Sequence, residues 1–573
     1  MSDTSLSRSK SDVAPPTALR QYFGQAEDDI FDKIVPQQAN KPDSHPTSHS
    51  MPSFYKTTDS QPSLSNDLKS SFTASVSFKK DSDEAPKIFS YFSSAAEPPT
   101  TTAKDVEGKV FFDLVSQQQQ IPAVITHNSQ SVSSVTTKPP HETVSHPVRH
   151  FWVLKPESQA VFEKLKASPG TFFPEKEHLT MPGLVLIEEL GDPVKDQVKH
   201  FDGPAAAALR QVPTADSVSQ DLHGIRYLVQ ANCYRAAVTL CGRLLTEWGQ
   251  GAKMASHPSK HSPYSLQLWY TRLSLLVLTQ QFSVAQSEAA AFGQLNTPDL
   301  FYEFYPDTYP GLTGCMASFS FRLLLAELPQ LNNNASQAMD NLSRILVTLR
   351  EFISNLQKGI AEDGQKRSSF DSADVWKDRE IKVLSSMATI SIASKDYTNA
   401  ITLLNKIIDK SPTSPELHAT LGRCYLQNGD VRMAQKAFSQ SSLLRSAKAE
   451  NKVNAHVDAA YIAIAQNAYA DACKQFESAL KLDPDNPMLL NNMAVCMLYT
   501  GRMKDAVALL EEAIGRRPDL LLQESILLNV CTLYELESSL TVQRKLGMLR
   551  LVAQWKGDSF NIASLKLQPQ NQS

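Results

Sequence analysis

The sequence predicts an all-α fold: a solenoid of paired helices preceded by a long disordered N-terminal region. Three observations carry this expectation. A helix–turn–helix pattern returns every 34 residues near the C-terminus. Proline, glycine and aspartate punctuate that pattern at fixed places. The N-terminal quarter has no apolar periodicity at all.

The repeat is read from four alanines, Ala400, Ala434, Ala472 and Ala506, spaced by 34, 38 and 34 residues. Four positions after each comes a large apolar residue: Leu404, Phe438, Phe476 and Leu510. Twelve positions before each comes another small one: Ala388, Gly422, Ala460 and Ala494. A 34-residue period with small residues in this frame describes a tetratricopeptide-repeat array. Each unit holds two helices, A and B, that cannot bury their apolar faces alone, so stacked neighbours supply the stability. The two small sites let helix backbones approach closely, and the large residue fills the gap towards the next unit.

The punctuation agrees with this frame. Asp396 and Asp430 stand where helix B needs an N-cap. Gly429 and Gly501 fall in the turns. Pro415 and Pro487 open the next helix A, where a missing N–H costs nothing. Pro412, Pro484 and Pro518 each lie 12 residues after their alanine. The 38-residue step carries four residues in excess, which we expect in a longer loop over Ser446–Asn454. Degenerate copies appear upstream: Tyr234, Ala237, Cys241 and Leu244; Trp269 with Phe282, Ala285 and Ala289; and Ala326 with Ala338, Leu342 and Ile345. Their wider spacing requires insertions. The expected organisation is an arm over 1–150, a partly ordered pre-repeat region over 151–217 and degenerate repeats over 218–350. A connection over 351–380, four regular repeats over 381–520, and a helical cap and tail over 521–573 complete it.

Composition bounds the function. Over 1–150, Ser, Thr, Pro, Gln and Lys dominate, and such a stretch buries too little apolar surface to offset its conformational entropy. Short aromatic clusters interrupt it, at Gln21–Gly24, Ile30–Asp32, Ser53–Tyr55, Ile88–Ser94 and Val110–Leu114. They read either as linear motifs for partner grooves or as chance. A net charge of −4 and a pI near 6.4 argue against nucleic acid, which asks for a basic stripe. No apolar run approaches a membrane span, and the first ten residues lack a signal-type apolar core. A soluble intracellular chain is expected. The seven cysteines contain no Cys-x-x-Cys pair and read as buried free thiols.

The search for chemistry returns no catalytic residue, no cofactor site and no metal site. Phosphate loops, nucleotide fingerprints, nucleophile elbows and His-Glu-x-x-His pairs are missing. His141, His146 and His150 cluster without a partner at ligand spacing. A chaperone-type carboxylate clamp needs cations on the inner face. The corresponding places hold Ser385, Thr389, Ala419, Thr420, Asn454 and Asp458 instead.

Several strings are not demanded by any solenoid: LTMPGL (Leu179–Leu184), GDPVKDQV (Gly191–Val198), ADSV (Ala215–Val218), LCGRLLT (Leu240–Thr246), SLQLW (Ser265–Trp269), PDLFYEFYPDTYPG (Pro298–Gly311) and GDSFNIASLKL (Gly557–Leu567). With these, residues of about 170–570 resemble the subunit 12 family of the trafficking protein particle (TRAPP) complex. The resemblance implies a non-catalytic scaffold in a TRAPP III-type vesicle-tethering and Rab-exchange assembly. Its neighbours would be other TRAPP subunits, including the large subunits 8 and 11, with an early-secretory Rab GTPase as an indirect partner. Transport from endoplasmic reticulum to Golgi and autophagy would be its processes. Its place would be cytoplasmic, peripheral at Golgi and intermediate-compartment membranes. A general tetratricopeptide adaptor is the alternative. Within Phe301–Tyr309, five aromatics and a proline rule out an ordinary helix. Phe301, Tyr302, Phe304 and Tyr305 are expected either to plug the gap between degenerate repeats or to anchor a partner.

Overall fold

The computed structural model describes residues 151–153, 156–167, 174–362, 373–445, 449–537 and 541–567. The predicted arm, its aromatic clusters and the three clustered histidines lie outside the described residues. Three helices come first: α1 (Pro156–Ala167), α2 (Pro193–Asp202) and α3 (Pro204–Leu209). Seven helix pairs follow: α4 (Leu222–Gln230) with α5 (Tyr234–Glu247), α6 (Pro263–Leu278) with α7 (Phe282–Ala289), α8 (Phe319–Leu331) with α9 (Ala335–Gln357), α10 (Ala373–Ala393) with α11 (Tyr397–Lys410), α12 (Pro415–Gln427) with α13 (Val431–Leu444), α14 (Ala449–Ala465) with α15 (Tyr469–Leu480), and α16 (Pro487–Tyr499) with α17 (Met503–Arg516). After the single turn α18 (Pro518–Leu521), an eighth pair, α19 (Glu524–Glu537) and α20 (Thr541–Trp555), ends the array. No strand occurs among the described residues. The fold is an all-α tetratricopeptide solenoid.

Local chemistry sets the element ends. The Asp396 carboxylate accepts from Asn399 N at 3.1 Å, and Asp430 from Met433 N at 2.9 Å, each capping a helix B. Gly429 and Gly501 take φ of +86° and +78°, the left-handed turn that follows a helix A and that side chains resist. Pro415 and Pro487 follow the N-caps Ser414 and Asn486. The alanines at 388, 400, 434, 460, 472, 494 and 506 are all buried, as are Leu404, Phe438, Phe476 and Leu510. At Gly422 a Cβ would stand 2.6 Å from Phe438 Cε1, so that helix A presses directly on the ring of its helix B.

Ala472 on α15 has no exposed surface. An Ala472→Leu chain therefore overpacks the joint with α14 and loses on the order of 1–3 kcal/mol. Chemical denaturation checks this, and an unchanged midpoint would place Ala472 away from the helix interface.

The extra four residues of the long step are not in a loop. α14 has 17 residues against 13 in α12 and in α16, a difference of four, so the excess lengthens helix A by about one turn. Helices also reach into the segment 351–380 from both sides, α9 running to Gln357 and α10 starting at Ala373. The insertions between degenerate pairs lie at 248–262 and 290–318.

Three hydrophobic cores run along the array, over residues 162–331, 323–437 and 426–565. Val194 and Val198 of α2 and Ala207 of α3 belong to the third core, although they precede the first repeat in sequence. α2 packs on α20, which brings the segment just before the first repeat onto the end of the array. The array is closed head to tail.

Candidate interaction surface

The aromatic tract sits in the insertion between α7 and α8. Two single-turn 3₁₀ segments, Pro298–Leu300 and Tyr302–Phe304, leave Phe301 between them in extended backbone. Its neighbours are held by hydrogen bonds from Tyr302 N to Gly314 O at 3.0 Å and from Met316 N to Leu300 O at 2.9 Å. Phe301 is fully buried and meets Phe162 of α1 edge-on at 6.4 Å. Tyr302 is buried and packs its edge on Tyr309. Phe301 and Tyr302 are thus core residues and not surface anchors, because the insertion folds back over the second repeat. Phe304 and Tyr305 are half-buried, edge to face at 5.0 Å, and keep part of their rings at the surface.

Beneath the tract, the LTMPGL segment forms a strap. Asp299 accepts from Thr180 N at 2.6 Å and from Thr180 Oγ1 at 3.1 Å. His261 Nε2 contacts Thr180 O at 3.0 Å and lies 3.5 Å from Asp299. His261 N donates to the Tyr305 hydroxyl at 3.1 Å. Trp269 Nε1 donates to Gln250 Oε1 at 2.8 Å, and that amide's Nε2 lies 3.4 Å from His261 Nδ1. Burial pushes the Asp299 carboxyl up and the His261 imidazole down. These residue types also occur in catalytic triads. Here Thr180, His261 and Asp299 are all buried, which removes them from contact with a substrate and leaves them a structural network.

The strap continues onto α5 and α6. Arg272 donates from Nε and Nη2 to the Glu288 carboxylate at 2.7 and 2.8 Å, from Nη1 to Val238 O at 2.9 Å and from Nη2 to Leu186 O at 3.1 Å. Glu288 Oε1 also accepts from Val185 N and Leu186 N at 3.1 and 3.2 Å. Both side chains are almost entirely buried. Gly242 makes room for them: a Cβ there would stand 2.9 Å from Arg272 Nη1.

The head-to-tail closure is a clasp of two complementary caps. Arg210, just after α3, pairs with Asp192 at 2.6 Å. Its remaining donors reach Ala553 O at 2.6 Å, Lys556 O at 2.9 Å and Gly557 O at 2.8 Å, the carbonyls at the end of α20. A cation here suits the negative end of a helix. In return, Asp558 accepts from Arg235 N and Ala236 N at 3.1 and 2.8 Å, capping the positive end of α5. Gly557 lies so close that a Cβ would stand 2.1 Å from Asn232 O, and Ser559 Oγ donates to the same carbonyl at 2.8 Å. The exposed pair Arg550–Asp202 adds little.

Burial pushes the Asp558 carboxyl up to about 6, against the two backbone donors that pull it down. A group raised above its unfolded value of about 3.9 binds its proton more readily in the folded chain. Its contribution is therefore fully present below about pH 4 and is lost as pH rises through about 6. Asp558→Asn keeps one acceptor and does not titrate. Relative to that variant, the wild type loses on the order of 2–3 kcal/mol between about pH 4 and pH 7. Parallel denaturation series check this, and identical pH responses would contradict it.

Sequence periodicity missed Arg210, Asp192, Arg272, Glu288, His261 and Asp558, because none falls on a repeat position. The non-periodic strings held the signal. GDPVKDQV contains Asp192, GDSFNIASLKL opens on Gly557 and Asp558, and PDLFYEFYPDTYPG contains Asp299. The tetratricopeptide repeat model matches residues 391–445 and 463–524. The chain is 42% identical to mouse trafficking protein particle complex subunit 12 over 406 residues, which is 70% of this chain and 51% of the mouse protein. The human protein of that name is 41% identical over 406 residues, 70% of this chain and 55% of its own length. Over those residues the chain is similar to the subunit 12 proteins. It spans about half the length of the curated relatives it matches. Among solved structures, yeast Tom70 is 13% identical, covering 63% of this chain and 83% of its own, with a TM-score of 0.27. No helix among the described residues is long and apolar enough to cross a membrane.

Proposed function

We propose that this chain is a non-catalytic scaffold subunit of the trafficking protein particle complex. It offers helix surfaces and a half-buried aromatic pair to neighbouring subunits. The observation that carries the reading is the identity of 42% spread over 70% of the chain. A match over 406 residues extends well past the repeats at 391–445 and 463–524, so the likeness is not confined to the repeat frame that any tetratricopeptide adaptor shares. The finer reading is a TRAPP III-type assembly in which the large subunits 8 and 11 are direct neighbours. An early-secretory Rab GTPase is then contacted indirectly. Transport between endoplasmic reticulum and Golgi, and autophagy, are the processes served. Attachment to membranes is peripheral and runs through the complex.

Affinity purification of the full chain followed by mass spectrometry tests this. Trafficking protein particle subunits in stoichiometric amount are expected, and their absence would overturn the proposal. In the same experiment, a chain with Phe304→Ala, which leaves the Tyr305 hydroxyl on His261 N, folds normally and loses at least one subunit. Retention of every subunit would remove the Phe304 ring from the interface.

A further inference from the structure

Seven cysteines are buried free thiols, and five of them behave as small apolar side chains. Burial pushes Cys233, Cys241, Cys315, Cys424 and Cys531 up, away from the reactive thiolate. The remaining two are different. Cys473 lies on α15 and Cys496 on α16, successive helices that pack side by side across the joint between the sixth and seventh pairs. Their register is fixed by Tyr469 and Tyr499, whose rings stack at 4.6 Å and 11°. One helical turn forward from Tyr469 is Cys473, and one turn back from Tyr499 is Cys496. Both thiols belong to the same core, and the antiparallel run of the two helices from the tyrosine stack brings them to the same level of the joint.

We propose that Cys473 and Cys496 form a peroxide-sensitive dithiol whose oxidation to an intramolecular disulfide locks two successive repeats together. The roles of the two sulfurs follow from their surroundings. The adjacent Cys496 thiol and the Arg502 guanidinium hold the Cys473 thiol below its ordinary range. The Cys473 thiol and burial hold Cys496 above its own. Cys473 keeps 7% exposure and Cys496 none, so a small oxidant meets Cys473 first. A reactive thiol with a resolving thiol beside it is the arrangement that redox-sensing cysteines use.

The chemistry balances with a hydroperoxide as oxidant. The Cys473 thiolate attacks the terminal oxygen. The O–O bond breaks, hydroxide or alkoxide leaves, and sulfur becomes a sulfenic acid. Cys496 then attacks that sulfur. The S–S bond forms, the S–O bond breaks, and water leaves with the Cys496 proton. With hydrogen peroxide, two thiols are oxidised and the peroxide is reduced to two waters.

The full chain, treated with equimolar hydrogen peroxide, quenched under denaturing conditions, alkylated and digested without reductant, supplies the test. The expected result is one cross-linked peptide joining Cys473 to Cys496, with the other five cysteines alkylated. Cys496→Ser should leave a trapped sulfenic acid at Cys473, and Cys473→Ser should leave Cys496 alkylated. Full alkylation of both, over-oxidation of Cys473 beside a free Cys496, or linkage to any other cysteine would overturn the proposal. If a variant fails to fold, the wild-type peptide map decides alone.

Discussion

Arg272→Met destabilises the first two helix pairs by on the order of 3–5 kcal/mol. The guanidinium occupies the junction of α5, α6, α7 and the strap, and its partner Glu288 is 1% exposed. Removing the cation leaves a buried carboxylate with only the Val185 and Leu186 N–H groups for company. The net worth of the intact pair is smaller than this loss, because both charges were desolvated to form it. Adding Glu288→Gln to the Met variant removes the stranded charge and keeps an acceptor for those two N–H groups. The double variant should therefore recover a substantial part of the loss. Chemical denaturation, with hydrogen exchange followed in residues 222–289, distinguishes the cases. Equal destabilisation of single and double variants would show that lost packing, and not stranded charge, is responsible.

Arg210→Ala opens the clasp at a cost of the same order. The change strands Asp192 and frees the carbonyls of Ala553, Lys556 and Gly557. Because a repeat array is stabilised unit by unit, the effect stays local. Hydrogen exchange should rise in α2, α3, residues 557–565 and the first turn of α5, while α10 to α13 keep their protection. Arg210→Lys retains the charge but cannot serve four acceptors from a planar fork, so it gives an intermediate result. Uniform loss of protection along the whole array would contradict a clasp that acts at one seam.

The regular repeats were legible because small and large residues recur where helix backbones must touch, and Gly422 against Phe438 shows that contact directly. The three degenerate pairs were legible in the same way, through residues such as Ala237, Ala285 and Ala338. Their insertions hid the stacking but not the frame. The long step was misread, since a polar stretch in the right place resembles a loop until α14 is seen to begin at Ala449. The closure was not legible. Arg210 and Asp558 are 348 residues apart, and hydrophobic periodicity reports only neighbours in sequence. Non-periodic strings carry such long-range contacts, which is why GDPVKDQV and GDSFNIASLKL turned out to share one seam.

The head-to-tail seam is tested most directly by a distance across it. Lys199 on α2 and Gln554 on α20 are exposed and take no part in the clasp. Spin labels attached through Lys199→Cys and Gln554→Cys should give a single narrow distribution at the separation of touching helices, whose axes lie about 8–10 Å apart. Arg210→Ala should broaden it towards longer distances. A broad, long distribution in the otherwise wild-type chain would mean that the array is open in solution and that the clasp does not form.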